Sequence, residues 1–172
     1  AENNLGTNDL ILPLFVCEGN NVEDPIQSMP GVSRYSIDKL LHKVEEAVKL
    51  SIPAIAIFPQ IETSLKNKEG SLAFDENNLV CRSIKSIKKE FSGIGIICDV
   101  ALDPFTDHGH DGLVINNKID NDRTLDVLEK QALVQVNAGC DVIAPSDMMD
   151  GRIGRISTVL DNNNFQDTLI LS

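Results

Sequence analysis

The chain is short of positive charge: 15 lysines and arginines stand against 26 aspartates and glutamates in 172 residues, a formal charge of −11. Phosphate recognition needs a concentrated basic surface, and Lys88-Lys89 is the only adjacent basic pair. That excludes nucleic acid as a partner and disfavours an anionic membrane surface. Long hydrophobic runs are missing too. No apolar stretch approaches the roughly 20 residues of a spanning helix, and no basic, apolar and small-residue signal pattern opens the chain. Cysteine is sparse and unpatterned. Cys17, Cys81, Cys98 and Cys140 form no CxxC pair and no dense framework, so they read as reduced, buried thiols rather than a disulfide scaffold. These absences describe a soluble protein expected in the cytoplasm, and a protein processed into an organelle stroma would read the same way.

What is present is apolar content, 42 %, enough for one substantial core. Leu10 to Val16 reads as a buried strand, with Pro13 tolerable near a barrel end or bulge. Glu18 to Met29 reads as a polar loop, followed by a turn at Pro30-Gly31. Ser36 caps a helix with a stripe of Ile37, Leu41, Val44 and Val48. His42 on that helix is a surface residue. Pro53 and Pro59 bracket a second strand, AIAIF. Gln60 to Asn78 is a long polar loop of the kind that serves as a lid or binding segment. Val80, Ile84, Ile87 and Phe91 make a second helical stripe, and Ile94 to Val100 a third strand, buried on both faces. Asp122 opens a third helix (Leu125, Leu128, Ala132, Val136) that Gly139 closes. Asp141 to Ala144 is a fourth strand. Ser146 caps a fourth helix through Met149, Ile153, Ile156 and Leu160, and Thr168 to Leu171 begins a fifth strand.

Strand and helix alternating in this way is the grammar of parallel α/β architecture. A (β/α)8 TIM barrel takes about 250 residues. Residues 1–172 therefore read as the N-terminal half of one TIM-barrel domain, about four βα units and the start of strand 5. A free half barrel leaves two strand edges uncovered. Neither Leu10 to Val16 nor Thr168 to Leu171 carries an edge-blunting device, so further chain is expected after Ser172.

The stretch Ile94 to Gly112 carries the chemistry. After the apolar strand, which Asp99 interrupts, the chain breaks at Pro104 into a loop with Asp103, Asp107, His108, His110 and Asp111. Five oxygen or nitrogen donors after a buried strand mark where α/β proteins place their sites. Crowded acids and imidazoles shift one another's proton affinity unless a cation or cationic substrate sits among them. A solvated polar loop turning at Gly109 and Gly112 is the other reading. Asp99 itself is costly inside an apolar strand unless paired, so it is either half of a structural ion pair or a functional carboxylate. Ser146 and Asp147 stand at the end of the fourth strand, where helix capping is the simplest role.

DVALDPFTDHGHDG, residues 99–112, resembles the metal loop of the porphobilinogen synthase (5-aminolevulinate dehydratase) family. NDLILPLFV at Asn8 to Val16, SMPGVSR at Ser28 to Arg34 and APSDMMDGR at Ala144 to Arg152 resemble further family motifs, in the family's order. The resemblance runs from about Leu5 to the last residue and implies an N-terminal arm before it. Many members carry three cysteines at the positions of Ala101, Asp103 and Asp111, so this chain resembles the zinc-independent branch. The resemblance implies condensation of two 5-aminolevulinate molecules to porphobilinogen with loss of two waters, in tetrapyrrole and heme biosynthesis. It places two Schiff-base lysines after strands five and six, and every lysine in this chain falls in a helix or polar loop. The chain alone is therefore expected to be inactive, with Asp99, Asp103 and Asp111 as supporting catalytic groups. Ser146 is the implied substrate contact, and Asp147 an outer-shell group for an activating magnesium ion. No zinc site is expected. His108 and His110 read as loop-ordering groups, since zinc-binding relatives also have them. A homo-octamer is the implied assembly. The alternatives are another Schiff-base barrel such as a class I aldolase, or a non-catalytic half barrel that binds cations or a partner.

Overall fold

The structure, a computed structural model, describes residues 3–172. Its parallel strands are β1 (Ile11–Val16), β4 (Ala54–Pro59), β5 (Gly95–Asp99), β8 (Val142–Ala144) and β9 (Leu169–Ile170). They lie side by side in chain order, each paired in parallel with the next. Helices α1 (Ile37–Lys49), α2 (Leu79–Glu90), α3 (Asn121–Ala138) and α4 (Arg152–Asn162) make the crossovers. This is the α/β arrangement of a partial barrel, as the alternation of periods predicts.

Aligned neighbours in a sheet share a face. Leu14↔Ile57, Ile57↔Cys98 and Cys98↔Ile143 therefore form one row across four strands. That row is buried in a single cluster with Leu40 and Val44 of α1, Ile84 of α2 and Leu128 of α3. The next residue on each strand faces the other way. Phe15, Phe58, Asp99 and Ala144 form a half-buried row, with the two phenyl rings 5.7 Å apart. Asp99 is thus on the face turned away from the helices. The apolar run of β5 implied burial on both faces, but its two ends are only half-buried.

Several local expectations shift. The polar loop before α1 holds two short strands, β2 (Glu23–Pro25) and β3 (Ser33–Tyr35), which pair as a hairpin around Pro30-Gly31. β3 aligns in parallel with Phe15 and Val16. That edge of β1 is therefore covered at its C-terminal end, and the outermost strand is three exposed residues, two acids and a proline, which blunt it. Val44 of the expected α1 stripe is buried, with Leu40 and Ala47 beside it; Ile37 and Leu41 are only partly buried at its margin, and Val48 is 44 % exposed. Ser36 sits at the N-cap, but its hydroxyl accepts from Val22 N and donates to Asp38 instead of capping. β6 (Val114–Ile115) and β7 (Lys118–Ile119) form a hairpin through Asn116 and Asn117, both at positive φ, which asparagine tolerates. α3 is capped by Asp120, two residues before the expected Asp122, with the Asp120 carboxylate accepting from Arg123 N, and it ends at Gly139 with φ 112°. All four cysteines are free and buried, and burial pushes the Cys81 thiol up to about 11.

One polar link joins β8 to β5 at its start. The Asp141 carboxylate accepts from Ile96 N at 2.7 Å and from Lys88 Nζ of α2 at 2.6 Å. The ammonium pair is partly exposed and contributes little; the buried N–H is the costly partner to lose. Asp141→Ala is expected to lower unfolding free energy by about 2 kcal/mol. Asp141→Asn, which keeps an acceptor, should lose less than half of that, as urea denaturation of both variants would show.

Candidate active site

β5 and β8 stop at the same level, Asp99 opposite Ala144, and the chain beyond each turns over the end of the sheet. The two exits are tied together: Ser146 Oγ donates to Asp99 Oδ1 at 2.5 Å. This is why Ser146 caps nothing. The fourth helix starts only at Arg152, behind Gly151 at φ 79°, and Ser146 is spent on the neighbouring strand. Burial raises the Asp99 pKa, the Ser146 hydrogen bond opposes the rise, and the Asp103 charge adds to it.

The loop after β5 is ordered by its own polar groups. Leu102 and Phe105 are buried under it, and the Leu102 carbonyl accepts from Phe105 N and Thr106 N. Thr106 Oγ1 donates to the His110 carbonyl at 2.9 Å, and His108 Nδ1 accepts from His110 N at 3.1 Å. His110 Nδ1 lies 2.7 Å from Asp111 Oδ1 and 3.0 Å from Gly112 N. One nitrogen cannot serve both contacts in the same tautomer; with a proton it donates to the carboxylate, the stronger bond of the two. Asp111 Oδ2 accepts from Met148 N at 3.0 Å, a second tie to the chain after β8. Gly112 fits because a Cβ there would stand 2.9 Å from Ile119 and 3.0 Å from Met149. The long loop Gln60 to Asn78, read as a lid, is pinned to this one. Asn67 N donates to the Phe105 carbonyl, and the Asn67 carbonyl accepts from Asp107 N.

Between these segments lies an open cavity of about 380 Å³ walled by Ala101, Asp103, His110, Asp111, Ser146 and Met148. Asp103 projects from its loop, yet desolvation at the cavity wall raises its pKa. A backbone hydrogen bond of its own opposes the rise, the Asp111 charge adds to it, and Lys66 opposes it. Asp107 and His108 are exposed and do not wall the cavity. A larger hollow of about 700 Å³ beside the β6–β7 hairpin is walled by exposed or half-exposed residues of that hairpin and the start of α3, Asp120 and Asp122 among them, and no residue of a parallel strand end lines it. Lys66 and the Met148 amide went unforeseen. A lysine in a polar loop gives no sign that its charge will act on Asp103, and a main-chain donor has no side-chain signature.

Asp147 points inward, only 2 % exposed. Its Oδ1 accepts from Met149 N at 2.8 Å, and burial raises its pKa against that bond and the nearby Arg152 charge. Its Oδ2 and Arg152 Nε are 3.4 Å apart, and neither has a hydrogen-bond partner. That oxygen, ion-paired with Arg152 but without a hydrogen-bond donor, suits an acceptor for a cation-bound water. A thiolate zinc site of the kind the resemblance implies for other members does not fit these residues: Ala101 has no side-chain donor, and Asp103 and Asp111 offer hard oxygens. No helix among them is long and apolar enough to cross a membrane.

The family model "Delta-aminolevulinic acid dehydratase" matches residues 1–172. A delta-aminolevulinic acid dehydratase of Bradyrhizobium diazoefficiens is 56 % identical over 171 residues, 99 % of this chain and 48 % of that protein. One from Chlamydia pneumoniae is 42 % identical over 172 residues, 100 % of this chain and 52 % of its own length. The chain thus spans about half the length of these relatives. A solved structure of the Toxoplasma gondii enzyme, in complex with its reaction product porphobilinogen, superposes with a TM-score of 0.96 at 41 % identity, covering 99 % of this chain and 49 % of that one. The four ordered motifs and the parallel sheet agree with these matches. They exclude the aldolase alternative, and the chain belongs to the delta-aminolevulinic acid dehydratase family.

Proposed function

We propose that this chain forms one half of the site at which two molecules of 5-aminolevulinate condense to porphobilinogen with loss of two waters, a lyase step of tetrapyrrole and heme biosynthesis. The observation that supports it most directly is the cavity where Asp103, Asp111 and the Ser146–Asp99 pair meet at the ends of adjacent parallel strands. The substrate carries an amine and a ketone, and the site offers it carboxylates and a hydroxyl. Ser146 and Asp99 would receive the substrate amine. Asp103, its pKa raised by desolvation, would hold and pass protons beside Asp111. Among the described residues no lysine walls the cavity. The amines that form Schiff bases are proposed for the part of the relatives that this chain does not span, as is a homo-octameric assembly.

Magnesium rather than zinc is the proposed activating cation, because oxygen donors have replaced the thiolates. Asp147 Oδ2 would accept from its hydration shell. When bound, the ion would supply positive charge that orders the segment around Arg152. The non-catalytic alternative has no observation in its favour beyond the acidic loop itself.

Three outcomes test this reading. The chain by itself, given 5-aminolevulinate, should form no porphobilinogen, whereas a full-length protein carrying these residues should turn it over. In that protein Asp103→Asn should lower kcat by about 10²–10⁴-fold, the usual worth of a positioned proton-transfer group; an unchanged kcat would remove Asp103 from the chemistry. Chelation selective for zinc should leave the full-length activity intact, and removal of magnesium should lower it reversibly, with readdition restoring it.

The raised pKa values also set a pH dependence. A carboxyl whose folded pKa lies above its unfolded value binds protons more readily when folded, so its burial costs nothing below about pH 4 and destabilises the fold as pH rises through the folded value. Asp99→Asn keeps an acceptor for Ser146 without the charge. It should melt above the wild type at pH 7.5, with the gap closing toward pH 4, as thermal denaturation at the two pH values would show.

A further inference from the structure

Two glutamines of α3, Gln131 and Gln135, take no part in the reading above, yet each is only 1 % exposed. Gln135 Nε2 donates to the Asp99 carbonyl at 2.9 Å, and Gln131 Nε2 donates to the Ala101 carbonyl at 3.1 Å. The ladder from β4 to β5 ends at Ile57↔Cys98, and the last bond across to β8 is Val100 N on the Ala144 carbonyl. The glutamines therefore hold the backbone where the sheet's own pairing gives out. The geometry matches one to the other. Four residues of helix advance about 6 Å, and two residues of extended chain about 6.6 Å. A glutamine pair at i and i+4 thus meets carbonyls at j and j−2.

Each amide is only half satisfied: the Oε1 atoms of both glutamines are buried without a hydrogen-bond partner. A buried unpaired acceptor is costly, and methionine would fill nearly the same volume without it. What glutamine offers at these positions is the donor. We infer that Gln131 and Gln135 are positioning residues for the proposed condensation, fixing the main chain between Asp99 and Asp103 so that the Asp99 carboxyl stays on Ser146 and the Asp103 carboxyl stays at the cavity wall. Gln135 sets the residue whose carboxylate must meet Ser146, and Gln131 sets the one two positions before Asp103. The inference rests on the reading of this cavity as the active site.

The test uses a full-length protein carrying these residues, with Gln135→Met and Gln131→Met as isosteres that lack the donor. A fall in kcat of about tenfold or more with KM within about twofold is expected, since displacing a reacting group by an ångström costs up to about a hundredfold. Amide hydrogen exchange should accelerate from Val100 to Thr106 and stay unchanged at Ile55, Ile57 and Ile96. Gln135→Glu adds a pH readout. Its carboxyl donates only when protonated, so its rate relative to the wild type should rise as pH falls. Wild-type-like kcat in both methionine variants overturns the inference, as does exchange that accelerates equally across the whole sheet, which would mark a structural role. Absence of turnover in the wild-type full-length protein overturns the functional reading instead, and with it the assignment of these residues to that reaction.

Discussion

A carboxylate on the last residue of a buried strand has to be held by something other than bulk water, and most of the local structure here follows from that demand. Asp99 lies on the sheet face turned away from the helices, in the row of Phe15 and Phe58, where desolvation raises its pKa. Its charge is met by the Ser146 hydroxyl from the neighbouring strand end. That bond requires β5 and β8 to finish level, which the register Asp99↔Ala144 provides. At the opposite end of the same seam, Asp141 accepts from Ile96 N and aligns the strands before they reach the site.

Beyond the strands, order is maintained by polar groups that act on backbone. Thr106 reaches the His110 carbonyl, Asp111 receives Met148 N, and Asn67 joins the long loop to Phe105 and Asp107. Above the buried Leu102 and Phe105, these main-chain bonds hold the loop's polar side chains in place, which suits the surface proposed to meet a polar substrate. The two histidines belong to this scheme. His108 receives a main-chain N–H, and His110 lies against Asp111, so imidazole chemistry in this loop is directed inward to the loop.

Most elements were legible because burial writes a periodic signal. Ile55, Ile57, Ile84, Ile87, Leu128 and Val136 are all buried where a period of two or 3.6 puts them. The failures were of three kinds. In α1, Leu40 and Leu41 are adjacent, and periodicity alone does not decide which of two neighbouring leucines faces the sheet; packing on β1 does. Before α1 and after Gly112, short hairpins of two or three residues per strand are too brief for any period to register. Ser146 was misread because serine before an apolar run is a common cap, and only the proximity of Asp99 across the sheet shows what its hydroxyl does.

The sequence by itself determined the alternation of strands and helices, the interruption of an apolar strand by one aspartate, the oxygen donors where related loops carry thiols, and a motif order that identifies the family. Those properties are written in local order along the chain. Only the tertiary structure decided that Asp99 meets Ser146 and that Asp103 and Asp111 face one cavity. It also decided that Asp147 turns inward beside Arg152 and that two helix glutamines hold the strand exit. Each of these depends on residues tens of positions apart being brought together by sheet register and helix packing, and separations of that kind leave no mark in the order of residues.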